Sequence, residues 1–386
     1  MSASIGLPRV MRIGGGAVAE IGSVVASLGF SRPLVVTDNF LVCTGAAATM
    51  MKALESAGLS PYLFDGTVPD PTTASLEVGL AALSAHEADS VIGFGGGSPM
   101  DTAKALALLG LQGGHMSHYK APRNNTGPAL PIIAVPTTAG SGSEATQFTV
   151  ISDSVTEEKM LCPGLSFLPV AAVIDYELTM TMPARLTADT GVDALTHAIE
   201  AYVSKKANPF SDSLALVAIT TIGKVLRRAY LDGNDIQARE QMMLAATQAG
   251  IAFSNSSVAL VHGMSRPIGA HFHIAHGLSN AMLLPAVTAF SVHDAESRYA
   301  DCARALGVAS VEDNDEVASK RLVEELAQLC RDVQVPTPKD YGIDSAKWQK
   351  LIPLMAEQAL ASGSPGNNPK IPTDAEIRDI YAQIYN

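Results

Sequence analysis

Asp193 and His197 stand four residues apart in GVDALTHAIEAY, and His262 and His276 follow in VALVHGM and HIAHGLSN. At i and i+4 of a helix, two side chains leave the same face about one turn apart, so the first pair is half of a chelate. One carboxylate and three imidazoles together would make a site for a catalytic divalent cation. The chain has nine histidines, and His262, His271, His273 and His276 crowd into one short stretch. A D-x-x-x-H pair alone also arises by accident, in which case His197 sits on a polar face and the later histidines are surface or satisfied core groups. The full set favours the metal. Its ligand types suit zinc, iron, cobalt, nickel or manganese, and raw affinity would favour zinc over ferrous iron.

A second chemistry is written in VIGFGGGSPMDTAK, where an apolar run passes through Gly95, Gly96 and Gly97 into a helical pattern. Glycine lets backbone approach a ligand closely, and a helix N-terminus offers free N–H groups to a phosphate. The spacing from Gly93 ends at Ser98, so it is neither G-x-G-x-x-G nor a Walker sequence, and a plain strand-to-helix turn is the alternative. PTTAGSGSEAT at 136–146 follows the next apolar run with more glycines and hydroxyls. Two such loops at successive strand ends fit a nucleotide across the carboxyl edge of a sheet. Asp38, closing LVVTD, would accept hydrogen bonds from a ribose and repel a 2'-phosphate, favouring NAD over NADP; it is equally placed to cap a helix.

The elements that must position these residues change character along the chain. Apolar β-branched runs at 34–37, 62–64, 91–94, 131–138 and 171–175 alternate with helical stretches in the first half, the pattern of a parallel, Rossmann-like sheet covered on both faces. After 175 the periodicities are helical, as in DSLALVAITTIGKVLRRAYLDG, AREQMMLAATQAGIAF and KRLVEELAQLCRDV. The expectation is an α/β dinucleotide-binding domain over 1–181 and an all-helical metal-binding domain over 182–386, parted near Pro183.

With 386 residues, 47% of them hydrophobic, the chain can bury a large core. A net charge of -12 without basic blocks argues against nucleic acid. The N-terminus lacks the apolar core of a secretory signal, and no uncharged apolar run approaches membrane-spanning length, so a cytoplasmic protein with no membrane partner is expected. Cys43, Cys162, Cys302 and Cys330 are far apart and read as buried free thiols.

Taken together, GGGSPMDTAK, PTTAGSGSE, GVDALTHAIEAY and HGMSRPIGAHFHIAHGLSNAMLLP resemble the iron-containing (group III) alcohol dehydrogenases over almost the whole chain. The resemblance implies an N-terminal dinucleotide-binding domain, a helical C-terminal domain, a metal in the cleft between them, Fe2+ as that metal with Zn2+ in some relatives, and a dimer or larger homo-oligomer. Family metal ligands match Asp193, His197, His262 and His276. Cofactor contacts match Asp38, Gly96, Gly97, Ser98 and Asp101, with Thr137, Thr138, Ser141, Thr146, Lys159 and Leu178 completing the pocket. Asp70 in PDPT replaces an asparagine, and Tyr176 stands where proline is usual. Arg266 replaces a histidine that many members carry near the substrate; it cannot shuttle a proton but offers a fork for a carboxylate, or a structural ion pair.

The expected activity is NAD-dependent interconversion of a small alcohol, diol or hydroxy acid with its aldehyde or ketone, the cation stabilising an alkoxide and His271 or His273 relaying the proton. Two alternatives remain: a metal- and NAD-using lyase or synthase like dehydroquinate synthase, with no net redox, and a non-catalytic NAD or metal sensor.

Overall fold

Runs such as LVV and IIAV send successive side chains to opposite faces of a strand, and here both faces are buried. The computed structural model describes residues 2–156 and 158–386. Contacts divide the chain into a unit running from Ser4 to Met180 and another from Thr181 to Asn386.

The first unit comprises β1 (Val10–Ile13), α1 (Ile21–Ser27), β2 (Pro33–Val36), α2 (Asn39–Cys43), α3 (Ala46–Ser56), β3 (Tyr62–Phe64), α4 (Thr73–Ala85), β4 (Ser90–Gly95), α5 (Gly97–Gln112), β5 (Ile132–Pro136), β6 (Phe148–Ser152), β7 (Lys159–Pro163) and β8 (Ala171–Ile174). Six strands form one sheet in the order β1-β8-β5-β4-β2-β3, every pair parallel. Leu34, Val36, Val91 and Ile132 pack on one face with Leu76 and Leu83 of α4 and Leu106 of α5. Val35, Ile92, Ile133 and Val135 pack on the other with Ile21 and Val24 of α1 and Met50 and Leu54 of α3. Each such side chain contributes about 1.5–3 kcal/mol on leaving water, which is why the helices must cover both faces.

From β2 the chain moves outward to β3, then returns to place β4 on the other side of β2. That reversal opens a crevice at the carboxyl ends of β2 and β4, where Asp38 and Gly95–Gly97 lie. Two features go beyond the strands expected from sequence. β1 is only partly buried, and β6 and β7 form an antiparallel hairpin with alternating burial; neither is the continuous apolar run by which the central strands announce themselves.

The second unit is helical: α6 (Ala184–Val203), α7 (Pro209–Leu231), α8 (Ile236–Ser254), α9 (Leu260–Phe272), α10 (His276–Ser291), α11 (Glu296–Leu306), α12 (Asp315–Asp332), α13 (Ser345–Ala361) and α14 (Asp374–Gln383). From Gly191 to Val203 every α6 residue is buried, against α7, α8 and α10. Helix α7 is long and apolar enough to cross a membrane by length and composition only, but Asp212, Lys224, Arg227 and Arg228 interrupt it, so it is not an uncharged apolar run of that length. It instead buries one stripe, Ala215, Ala218, Ile219, Ile222, Val225, Leu226 and Ala229, at the i, i+3, i+4 spacing of a helix packed on a core. Cysteines 162, 302 and 330 are buried and free, whereas Cys43 is exposed, because it ends the one-turn helix α2 on its outer side.

Candidate active site

Asp193, His197 and Glu200 occupy one face of α6 at i, i+4 and i+7. His262 comes from the first turn of α9 and His276 from the first residue of α10. Asp193, His197 and His262 are buried and His276 is exposed, and one donor atom from each lies within 4.8 Å of all the others. His262 Nε2 is 3.5 Å and His197 Nε2 3.8 Å from Asp193 Oδ1. Donors about 2.1 Å from a shared ion at tetrahedral angles would be roughly 3.4 Å apart, so this spacing fits a divalent cation.

A further observation supports that fit. The amide nitrogen of Asn280, one turn beyond His276 on α10, lies 2.6 Å from Asp193 Oδ1, 3.1 Å from His262 Nε2 and 3.2 Å from His276 Nε2. One carboxylate oxygen and two imidazole nitrogens thus converge on a single point, as the donors to one cation do. Exposure of His276 leaves that side open to a substrate, as a catalytic rather than a closed structural site needs.

Glu200 holds the set in register. Its carboxylate accepts from the backbone N–H of Ala259 (2.8 Å) and Val261 (2.6 Å) and from His262 Nδ1 (2.6 Å). With Nδ1–H donated there, Nε2 presents its lone pair to the site. Burial disfavours the His262 imidazolium, yet Glu200 and Asp193 raise its pKa to about 9. Burial likewise raises the Asp193 carboxyl, but the facing His197, His276 and His262 hold it well below the usual carboxylate range. His197 is sandwiched between the Phe253 ring at 4.3 Å and the His262 ring at 4.5 Å, fixing its plane. Close approach of α10 to α6 requires Gly277, where a Cβ would stand 2.5 Å from the Asp189 carbonyl oxygen.

The remaining expected residues of this unit lie along α9 and at its end. Arg266 is one turn after His262 on α9 and donates to Ser364 Oγ at 3.1 Å. His271 bonds Gln358 Oε1 through Nε2 at 2.8 Å. His273 is exposed, in the left-handed conformation that ends α9. Among the described hydrogen bonds, neither His271 nor His273 reaches a ligand atom.

In the first unit, Gly95 (φ 148) turns the chain sharply out of β4 so that α5 begins at Gly97. A Cβ on Gly96 would meet Thr138 at 3.3 Å, while one on Gly97 would meet only Ser141, at 3.9 Å. The Gly96–Ser98 turn and the Thr137–Ser141 loop therefore lie against each other at the start of α5, and a helix N-terminus of this kind is able to take a phosphate. Thr137 N–H bonds Gly95 O at 3.0 Å, tying the two loops. Asp38 caps α2, Oδ1 accepting from Leu41 N–H at 3.1 Å. Leu178 packs among the partly buried apolar residues beside α1 and α3. Lys159 pairs with Asp70 at 2.9 Å, and Asp70 holds a left-handed φ of 50°.

Asp101 and Thr146 meet around Lys104, which sequence reasoning passed over. Lys104 Nζ, fully buried, donates to Ser143 Oγ, Thr146 O and Oγ1, and Phe148 O at 2.9–3.1 Å. Burial pushes its ammonium below the ordinary range, against the pull of Asp101 and Glu144. Burial raises Asp101, against the pull of Lys104. Lysine inside the apolar stretch AKALALLG was the available signal; for Glu200 and Asn280 it was helical spacing from Asp193 and His276.

A nucleotide-type α/β unit and a helical unit whose centre joins one aspartate to three histidines define a metal-dependent oxidoreductase. Residues 8–176 match the iron-containing alcohol dehydrogenase family and residues 187–385 the C-terminal part of the Fe-containing alcohol dehydrogenase family. The chain belongs to this family, and it is an oxidoreductase acting on CH–OH groups. It is 35% identical over 374 residues to the NAD-dependent methanol dehydrogenase of Bacillus methanolicus, covering 97% of each chain. Among solved structures, a 1,3-propanediol oxidoreductase superposes with a TM-score of 0.95 at 34% identity over 100% of both chains. A sulfoacetaldehyde reductase from Bifidobacterium kashiwanohense in complex with NAD+ superposes at 0.89 with 27% identity, covering 100% of this chain and 99% of that one.

Proposed function

We propose that this alcohol dehydrogenase uses NAD in preference to NADP, together with Fe2+ or Zn2+ held by Asp193, His197, His262 and His276, to interconvert a small alcohol, diol or hydroxy acid with its aldehyde or ketone. The observation that carries the reading is the convergence of those four donors, one exposed, in a family of iron-containing alcohol dehydrogenases. When bound, the cation polarises the substrate C–O bond while the nicotinamide takes or returns hydride. The balance is R–CH2OH and NAD+ giving R–CHO, NADH and a proton.

The chain's own groups supply position and charge. Glu200 fixes the His262 ring, Asn280 orients the Asp193 carboxylate, and Phe253 holds the His197 plane. Gly96, Gly97 and Ser98 with Thr137, Thr138 and Ser141 take the pyrophosphate, and Lys104 anchors the Ser143–Phe148 segment following that loop. Asp38 keeps one carboxylate oxygen for the cap and offers the other to a ribose, which disfavours a 2'-phosphate. The released proton leaves by the exposed side, where His276 lies and where His271 or His273 would relay it. Its free cysteines fit a reducing compartment such as the cytoplasm, and assembly into a homo-oligomer accords with the family.

Restoring Fe2+ or Zn2+ to protein purified without added metal, and following NADH at a panel of alcohols, diols and hydroxy acids, tests the reading. NADH formation dependent on the metal is the expected result. Turnover without net NADH would shift the assignment to a redox-neutral lyase or synthase, and tight NAD binding without turnover to a sensor.

A further inference from the structure

The strongest feature that the four ligands and the phosphate cradle do not explain is the charge of Arg266. Most arginines elsewhere in the helical unit are matched by acids, among them Arg185 by Asp189, Arg227 by Glu325 and Asp332, Arg298 by Asp212, and Arg304 by Asp301 and Asp315; the exposed Arg331 bonds Gln328 instead. Arg239 lacks an acid but donates to Gly233 O, Thr187 Oγ1 and Met182 O. Arg266 is half-buried and, among the described residues, donates one side-chain hydrogen bond, to a neutral hydroxyl. A guanidinium has five N–H donors, so most of this fork is left for another acceptor.

Nothing among the described contacts neutralises it. Glu200, whose charge acts on it, is already committed to Ala259 N–H, Val261 N–H and His262 and forms no ion pair with Arg266 among the described contacts. Burial pushes the Arg266 guanidinium down to about 10, against the pull of Glu200. Position supplies the rest: at i+4 from His262, Arg266 shares that ligand's helix face, with Cα atoms about 6 Å apart along the axis. Ser364 holds Nη1 from a segment that α9 approaches closely, since a Cβ on Gly263 would lie 2.8 Å from Pro365. The side chain is thus held at one end, and its other donors have no partner among the described hydrogen bonds.

We propose that Arg266 is a specificity-determining residue that pairs with an anionic group on the substrate, so that the preferred alcohols are short hydroxy acids, carboxylate or sulfonate, rather than neutral alcohols. This rests on the dehydrogenase reading above. The hydroxyl goes to the centre formed by Asp193 and the three histidines while the anion forms a forked pair with the guanidinium, a geometry lysine reproduces poorly.

The test has two arms. In steady-state assays, the ratio of kcat/KM for 3-hydroxypropanoate to that for 1,3-propanediol should exceed one, and fall at least about tenfold in Arg266→Met and by less in Arg266→Lys, chiefly through KM. Separately, metal-free protein with NAD is titrated calorimetrically with propanoate and ethanesulfonate. Binding that Arg266→Met abolishes, and that removal of the exposed Arg331 (Arg331→Met) leaves in place, is the expected outcome. Equal anion binding by wild type and Arg266→Met, or no binding by wild type, overturns the proposal. If no NADH forms with any alcohol, the dehydrogenase reading fails while the calorimetry still decides for or against the anion site. Should Arg266→Met melt early or fail to fold, the comparison of Arg266→Lys with wild type carries the decision, equal ratios and equal anion affinities overturning it.

Discussion

At the scale of single residues, Glu200 is the most consequential group that is not itself a ligand. It is 3% exposed and accepts three hydrogen bonds, one from His262 Nδ1, so it sets both the ring's orientation and the nitrogen it presents. Glu200→Gln keeps the volume but loses an acceptor and the charge. The expected outcome is metal affinity weaker by about 10–100-fold with the helical unit still folded, measured by competition with a chromophoric chelator. His262→Ala and Asp193→Asn remove a donor outright and should abolish stoichiometric metal in elemental analysis. The four ligands were legible because the D-x-x-x-H pair, which alone arises by accident, came with a crowded set of later histidines in segments that resemble the family's. Glu200 and Asn280 were legible in principle, being on the same helical faces, but carboxylates and amides on helices are common, and only the observed bonds set them apart.

At the scale of elements, two glycines make opposite predictions. Gly277 lets α10 lie against α6, and a Cβ there would stand 2.5 Å from backbone oxygen that cannot move aside. Gly277→Ala should therefore cost about 1–3 kcal/mol of stability, read by denaturant unfolding, along with metal affinity, because α6 and α10 together carry three of the four donors. Gly97→Ala meets no atom nearer than 3.9 Å and replaces a helix-start glycine, so unfolding should change little. Its methyl would enter the space facing Ser141, and NAD affinity, followed by nicotinamide or protein fluorescence, should fall by about tenfold or more. The central strands were legible from β-branched runs buried on both faces. Strand β1 was not, since VMRI mixes charge with apolar residues, and the β6–β7 hairpin was not, since its alternation is that of a half-buried ribbon whose pairing depends on the loop between. Asp38 illustrates a different limit: one sequence position satisfied two readings, and its cap to Leu41 N–H realises one without spending both oxygens.

At the scale of the whole molecule, the two candidate ligand sites belong to separately organised units, with every metal donor in Thr181–Asn386 and the phosphate cradle in Ser4–Met180. A ligand that binds only the folded form stabilises it by RT ln(1 + [L]/Kd), about 2.7 kcal/mol at a hundredfold excess over Kd. Chelation should therefore lower the melting temperature, and the loss should be local: amide exchange should rise first in the stretches around Asp193, Glu200, Ala259–His262 and His276–Asn280, whose backbone and side chains converge on the centre. NAD should raise the melting temperature of the chelated protein too, with protection concentrated at Gly95–Ser98 and Thr137–Ser141, because its cradle needs none of the metal donors. Calorimetry with each ligand alone and with both, alongside exchange mass spectrometry, checks this. Protection by NAD at the α6 and α10 stretches in metal-free protein would show that the cradle does not hold the cofactor alone, and the assignment of its contacts to Asp38, Gly96, Gly97 and Ser98 would then have to be redrawn.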